Sequence, residues 1–446
     1  MDRADYAAWH DIKPMRKLLD KLSPDQFFVE GRGSRIRDAG GRWYLDARSS
    51  LWNVTLGYDN ARVVDAMTAQ LRTLPFTNAI RYERPSALVP QYAATLRERL
   101  PGFRFRFGHS GSQMTEASVL LSRFLRRLAD ETDRDLVLAL EESYHGTGAG
   151  AGALSGEPFF HVACGPVLPA VRHVPGPPSL RGRAPEDVAA DGLEAIAAVL
   201  EEVSPERVTA ILVEPVLGSR ALPFPREYLT GLRDLCTRHG IHLILDEVTT
   251  GWGRVGAYTR AQQLGVEADL VVLGKGLAAG YTPLAALAVA DELFDQAFDP
   301  ENGWPFPVGS TTDGHPLAMA AGLAVLDVLE QDGVLAGVGE RGAALEEELR
   351  RLADESPYVT DVRGVGLLWA VALANGDGVA VAGQPLEDVR TAAEERGVLV
   401  SVGINEIVLA PPLVIASDEI VEVVEALTDA VGEVLPRVAE PVVATT

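Results

Sequence analysis

From residue 103 the chain reads FRFRF, with apolar and charged residues in strict alternation. That predicts a strand carrying three phenylalanines on one face and two arginines on the other. A turn of small residues, GHSGS, follows, and TEASVLLSRFLRRLAD then sets apolar side chains at helical spacing. Strand, small-residue loop and helix therefore come in that order. Further short apolar runs are DLVLAL from Asp135, VTAILV from Val208, IHLIL from Ile241, DLVVL from Asp269 and PLAALAV from Pro283, several of them separated by helix-like stretches. Together they predict an α/β domain built on buried, largely parallel strands.

The stretch from Arg172 to Asp191, rich in proline, glycine and charge, reads as an exposed connection inside that domain. After His315 the pattern turns helical, through PLAMAAGLAVLDVLE and GAALEEELRRLADE, and then alternates short strands and helices. This last part, with the first fifty or so residues, reads as a smaller lobe, and no internal repeat is visible. The tail PVVATT reads as frayed. A length of 446 residues fits such an arrangement, being too great for one small core.

Composition narrows the partners. The formal net charge of −23 repels polyanions, so nucleic acid and anionic membranes are poor partners. The cluster Arg123, Arg126 and Arg127 is too small to override it, and reads as a solvated helix face or part of a subunit contact. No apolar run approaches the roughly twenty residues needed to span a bilayer, and the charged start MDRADYAAWH lacks a signal-peptide core. A cytoplasmic location is expected. The two cysteines, Cys164 and Cys236, read as small buried hydrophobes, and the eight histidines show no metal-ligand spacing, so no metal site is expected.

Candidate chemistry gathers where an α/β sheet places ligands, at the carboxyl ends of its strands. Asp246 ends the run IHLIL, and Lys275 follows DLVVL inside the sequence GKG, so both fall on one rim. Gly111 and Ser112 lie where FRFRF gives way to a helix, and their amides with the helix dipole suit a phosphate. A carboxylate, an amine and a phosphate cradle on one rim are what pyridoxal 5′-phosphate requires. The amine forms a Schiff base with the aldehyde and later carries a proton, while the carboxylate favours a protonated ring nitrogen that draws electrons from the substrate carbon.

The segments ILVEPVLG, LILDEVTTGWGRVG and DLVVLGKGLAAG, in that order, resemble the class III aminotransferases. SGSQMTEAS is similar to that family's phosphate loop, SYHG to its aromatic-His-Gly motif, GSTTDGHPLAMAA to its later Thr-containing motif, and LWNVTLGYDN to the ω-transaminase branch. The resemblance runs from about Trp52 to Leu413. It implies the aspartate aminotransferase fold, fold type I: a large domain over 51–315 with a mostly parallel seven-stranded sheet, and a smaller α+β domain from 1–50 and 316–446. It implies Lys275 as the Schiff-base lysine and Asp246 as partner of the ring nitrogen, with Val248 packed on one cofactor face, Tyr144 stacked on the other and Glu214 nearby. Gly111 and Ser112 would bind the phosphate in one subunit and Thr311 would reach it from its neighbour. A homodimer with shared active sites, or a tetramer of such dimers, is implied in turn, with a small-molecule amino donor and carbonyl acceptor as substrates. Trp52 would line the substrate pocket.

The sequence also departs from the family. Gln113 and Met114 stand where the family has Glu-Ala, and Ser401 aligns with an arginine that the ω-transaminase branch uses to grip a substrate carboxylate. A serine has no bidentate fork for that task. The preferred substrate therefore lacks a carboxylate near its reacting carbon, or Arg81 or Arg220 takes over, and a specialised biosynthetic role becomes attractive. A racemase, aminomutase or decarboxylase on the same cofactor is the alternative activity, and a non-catalytic binding protein a third reading. GVGERG from Gly337 follows a helical stretch where a dinucleotide fingerprint needs a strand, and GHSGS falls one glycine short of a hydrolase elbow.

Overall fold

The structure, a computed structural model, describes residues 7–10, 15–79, 84–162 and 170–438. Its centre is a seven-stranded sheet. We number the strands β1 (Phe103–Gly108), β2 (Leu136–Leu140), β3 (Val171–Val174), β4 (Val208–Val213), β5 (His242–Asp246), β6 (Leu270–Leu273) and β7 (Ala285–Ala290). Their spatial order is β1-β7-β6-β5-β4-β2-β3. All neighbouring pairs are parallel except those made by β7, which runs antiparallel to β6 and β1.

The continuous apolar runs have a packing cause. Val137, Ala210, Leu212, Ile244, Leu270 and Val272 pack on the helix Gly111–Leu128. Leu138, Ile211, Leu243 and Leu245, one residue out of phase, pack with the helices Pro185–Val203 and Arg226–His239. With both faces covered, each such leucine or isoleucine contributes about 1.5–3 kcal/mol by leaving water. In β1, Phe107 is buried in the largest core cluster and Phe103 and Phe105 pack at its edge, while Arg104 pairs with Asp291 and Arg106 with Asp313.

Two expectations are corrected here. The stretch 172–191 is not a loop throughout: it holds most of the edge strand β3 and the start of the helix Pro185–Val203. Nor is the arginine cluster simply solvated. Arg123 donates to the carbonyls of Asp135 and Ala170 and Arg126 to those of Thr209 and Gly240, and only Arg127 is exposed. GVGERG lies largely within the helix Val338–Glu355, as a rejected fingerprint should. Cys236 is buried; Cys164 and the tail 439–446 lie outside the described residues.

The chain ends are joined by backbone. The N-terminal strands Phe28–Arg32, Arg35–Asp38 and Trp43–Asp46 form an antiparallel ribbon whose last member pairs in parallel with Val398–Leu399. A second four-stranded sheet is antiparallel and contains Val359–Val365, Leu368–Leu373, Glu406–Leu409 and Ser401–Val402. Among the described residues no helix is long and apolar enough to cross a membrane, and no cluster of His, Cys, Asp or Glu could hold a metal ion.

Candidate active site

Strands β5 and β6 are adjacent and parallel, with Asp246 opposite Val272 in register, so their carboxyl ends deliver Asp246 and Lys275 to one rim. Asp246 is 5% exposed. One of its oxygens accepts the Val248 amide at 3.0 Å, and the other lies 2.8 Å from Nδ1 of His145. The carboxylate is thus held in a fixed orientation. Lys275 follows β6 in a short helical turn with φ of 36°, and its amine donates to the Thr249 hydroxyl at 2.8 Å. Burial lowers its ammonium below the usual lysine range, although the charges of Asp246 and Glu214 pull the other way.

Glu214 lies beyond β4 and is 4% exposed, which rules out a surface turn before Pro215. Its oxygens accept the amides of Tyr144 (3.1 Å) and Gly218 (3.0 Å). Burial pushes its carboxyl up to about 7, and the neighbouring Asp246 adds to the rise. Tyr144 packs against Phe160 with ring centroids 4.9 Å apart, and burial raises its phenol.

The helix Gly111–Leu128 opens at the same rim. Ser110 is its N-cap, its hydroxyl accepting the Gln113 amide. Gly111 and Ser112 occupy the next two positions, where no carbonyl of the helix itself reaches the amides. Val248 links this helix start to the lysine strand: a Cβ added at Gly111 would lie 3.1 Å from one Val248 methyl, and one added at Gly274 would lie 3.2 Å from the other. The Ser112 hydroxyl accepts the Thr147 amide. Asp246, Glu214, Tyr144, Val248, Gly111, Ser112 and Lys275 therefore form one connected group.

Trp52 and Ser401 complete a second wall. The Trp52 indole donates to the Ser401 hydroxyl at 3.3 Å, and its ring centroid is 5.4 Å from the Lys275 amine. Thr311 stands apart, exposed, with its carbonyl accepting from Asn78. Arg220 is held by Glu142 and, at 3.6 Å, by the buried Glu406, which also pairs with Arg363. Arg81 lies outside the described residues.

Three residues escaped the sequence reading. His145 lies within SYHG, and its contact with Asp246 spans 101 positions. Thr249 holds the lysine. Gln113, noted only as a departure, donates to Asp313, which also accepts from Arg106 and from the Ser310 amide, so the segment bearing Thr311 is tied to the helix start. The sequence signal for His145 and Thr249 was their place inside matched motifs; Gln113 had none.

The fold is shared with solved transaminases. An (S)-enantioselective omega-transaminase from Thermomicrobium roseum superposes with a TM-score of 0.91 at 30% identity, covering 96% of each chain. An amine transaminase from an uncultivated Pseudomonas species, in its PLP-bound form, gives 0.89 at 30% identity over 96% of this chain and 99% of that one. The molecule is thus a pyridoxal-phosphate-type transferase of fold type I. The aminotransferase class-III family model matches residues 20–431, and an omega-aminotransferase of Caulobacter vibrioides is 33% identical over 442 residues, 96% of this chain and 98% of its own. A mitochondrial gamma-aminobutyrate transaminase of Oryza sativa subsp. japonica is 30% identical over 428 residues, 92% of this chain and 81% of its own. The chain belongs to the class III aminotransferases, and its reaction moves an amino group between an amine or amino acid donor and a ketone or aldehyde acceptor.

Proposed function

We propose that this aminotransferase works through pyridoxal 5′-phosphate held by Lys275, with a donor that carries no carboxylate beside its amine. The observation that carries the proposal is the pairing, on one rim, of an amine made less basic by burial with a carboxylate locked by His145 and the Val248 amide. The group fits the residues present: the first-turn amides of Gly111 and Ser112 suit its phosphate, and Asp246 suits its ring nitrogen. When bound, it supplies an aldehyde carbon that takes up the donor's amine and a ring that draws electrons from the donor carbon.

The side chains divide the remaining work. Burial increases the neutral fraction of the Lys275 amine, which suits it to attack carbon and then to carry a proton at Nζ, with the Thr249 hydroxyl orienting it. Asp246 would favour a protonated ring nitrogen, since a fixed anion stabilises the adjacent cation. Val248 and Tyr144 would flank the ring, Glu214 would lie at its edge, and Thr311 would reach the phosphate of a neighbouring subunit in a homodimer. We assign residues 1–50 and 316–446 to a small domain and 51–315 to the large one.

The choice of donor rests on Ser401. Its hydroxyl is engaged by Trp52, and Arg220 and Arg363 are already occupied by Glu142, Glu406 and Asp361. A carboxylate entering there would meet no free guanidinium among these groups.

Borohydride treatment of the reconstituted enzyme followed by peptide mapping should label Lys275 alone, and Lys275→Ala should lose both label and amino transfer. Simple amines should outperform glutamate and alanine as donors. A wild-type enzyme that binds the cofactor elsewhere, or that prefers glutamate, refutes the respective part.

A further inference from the structure

The segment that presents Trp52 is strained. Ser49, Ser50 and Trp52 all adopt positive φ, at 47°, 61° and 65°, and Ser50 combines it with a ψ of −85°, outside the left-handed well open to residues with a Cβ. A backbone of this kind persists only where its surroundings over-determine it.

Two buried side chains do so here. Asp46, 1% exposed, accepts the amides of Arg48 (3.3 Å) and Ser50 (2.6 Å) and the Tyr58 hydroxyl (2.7 Å). The hydroxyl of Ser49, wholly buried, donates to the Ala410 carbonyl at 2.7 Å and accepts from Arg254 at 3.4 Å. Arg254 is buried as well, with no carboxylate in ion-pair range among the described residues, and it donates to the carbonyls of Leu367 (2.8 Å) and Pro411. The Ala410 amide closes the arrangement by donating to the Ala47 carbonyl. The turn is therefore pinned from one side by the strand that precedes it and from the other by the chain around Ala410. Arg254 belongs to the same loop that leaves Asp246, so the clamp shares its frame with the lysine rim.

We infer that Asp46 and Ser49 are positioning residues that set the acceptor range by forcing the Trp52 indole against Lys275 and Ser401. The inference rests on the proposed placement of Trp52 in the substrate pocket. The direction of a side chain from its Cα follows the backbone dihedrals, so a turn relaxed to negative φ re-aims the indole and frees a ring's volume beside the Lys275 amine. No contact of Asp46 or Ser49 with substrate is needed.

The test compares kcat/KM for a compact aldehyde and for a ketone with two bulky substituents, in Ser49→Ala, Asp46→Asn and Ser50→Gly, each alone and combined with Trp52→Ala. The bulky-to-compact ratio should rise roughly tenfold in Ser49→Ala and Asp46→Asn, the scale that a small change in pocket fit commands. It should rise no further once Trp52 is gone. A second readout uses the apoprotein labelled with 5-fluorotryptophan: the fluorine signal assigned through Trp52→Phe should move or broaden in Ser49→Ala while those of the other tryptophans stay. Ser50→Gly is the control: glycine accepts the dihedrals without strain and keeps the amide contact to Asp46, so its ratio should stay near the wild-type value. An unmoved Trp52 signal with an unchanged ratio overturns the inference, as does an equal change of ratio in the Trp52→Ala background. If the wild-type enzyme transfers to neither acceptor while Ser49→Ala still shifts the Trp52 signal, the substrate reading fails and the clamp stands.

Discussion

Glu214 gives the most exacting check on the electrostatics of the rim. Its carboxyl is pushed from an ordinary 4.5 to about 7 by burial, with Asp246 adding to the rise. The native chain then keeps a proton on Glu214 over a range in which the unfolded chain has lost it, so stability falls as pH climbs from about 4.5 to about 7 and levels off above. At about 1.36 kcal/mol per unit, the loss is on the order of 3 kcal/mol. In Glu214→Gln this pH dependence is absent. The amide must, however, turn its nitrogen toward the N–H of either Tyr144 or Gly218, a donor facing a donor, which costs about 1–3 kcal/mol. The variant should be the less stable protein at pH 5, and the two stability curves should converge or cross near neutrality. Urea unfolding of both apoproteins at pH 5, 6, 7 and 8, at one protein concentration, measures this without contributions from ligand binding. Parallel curves across that range would refute the reasoning, since they would mean that Glu214 ionises alike in the folded and unfolded chain.

Two further outcomes are expected. His145→Asn removes the ring that holds Asp246; a hydrogen bond to a charged group contributes about 1.5–3 kcal/mol, so cofactor affinity measured by spectral titration should weaken about 10- to 100-fold. Tyr92 is wholly buried and its hydroxyl has no hydrogen-bond partner among the described residues, although its ring stacks on Phe107 at 5.3 Å. Tyr92→Phe keeps the stack and removes the unsatisfied oxygen, so thermal unfolding should show no loss and a gain of about 1 kcal/mol; a clear destabilisation would reveal a hidden partner.

Legibility in the sequence followed burial. The strands that are covered on both faces, β2, β4, β5 and β6, announced themselves as largely apolar runs, because packing on each side disfavours polar positions; the exceptions short of the rim, Thr209 and His242, are hydrogen-bonded to Ser122. β3 did not: it lies at the sheet edge, reads VRHV, has an exposed arginine, and is followed directly by the prolines that marked the region as a loop. The rim residues were legible because strand ends and matched motifs put them there. The clamp around Trp52 was not, since Arg254 and Ala410 are brought to Ser49 only by tertiary packing, and its positive φ angles fall on serines and a tryptophan, where local preference predicts none. The role of Gln113 was hidden for the same reason, its partner Asp313 being 200 residues away.

The reversed strand β7 has a geometric consequence. It contributes only its amino end to the rim, opposite Gly108 of β1 and beside Leu273 of β6. Adjacent strands sit about 4.8 Å apart, so backbone pairing sets the axes of β1, which leads to the helix start at Gly111, and of β6, which leads to Lys275, about 10 Å apart. Changing that separation would take the gain or loss of a whole strand, so it is fixed by the topology and not by the loops that leave the two strands.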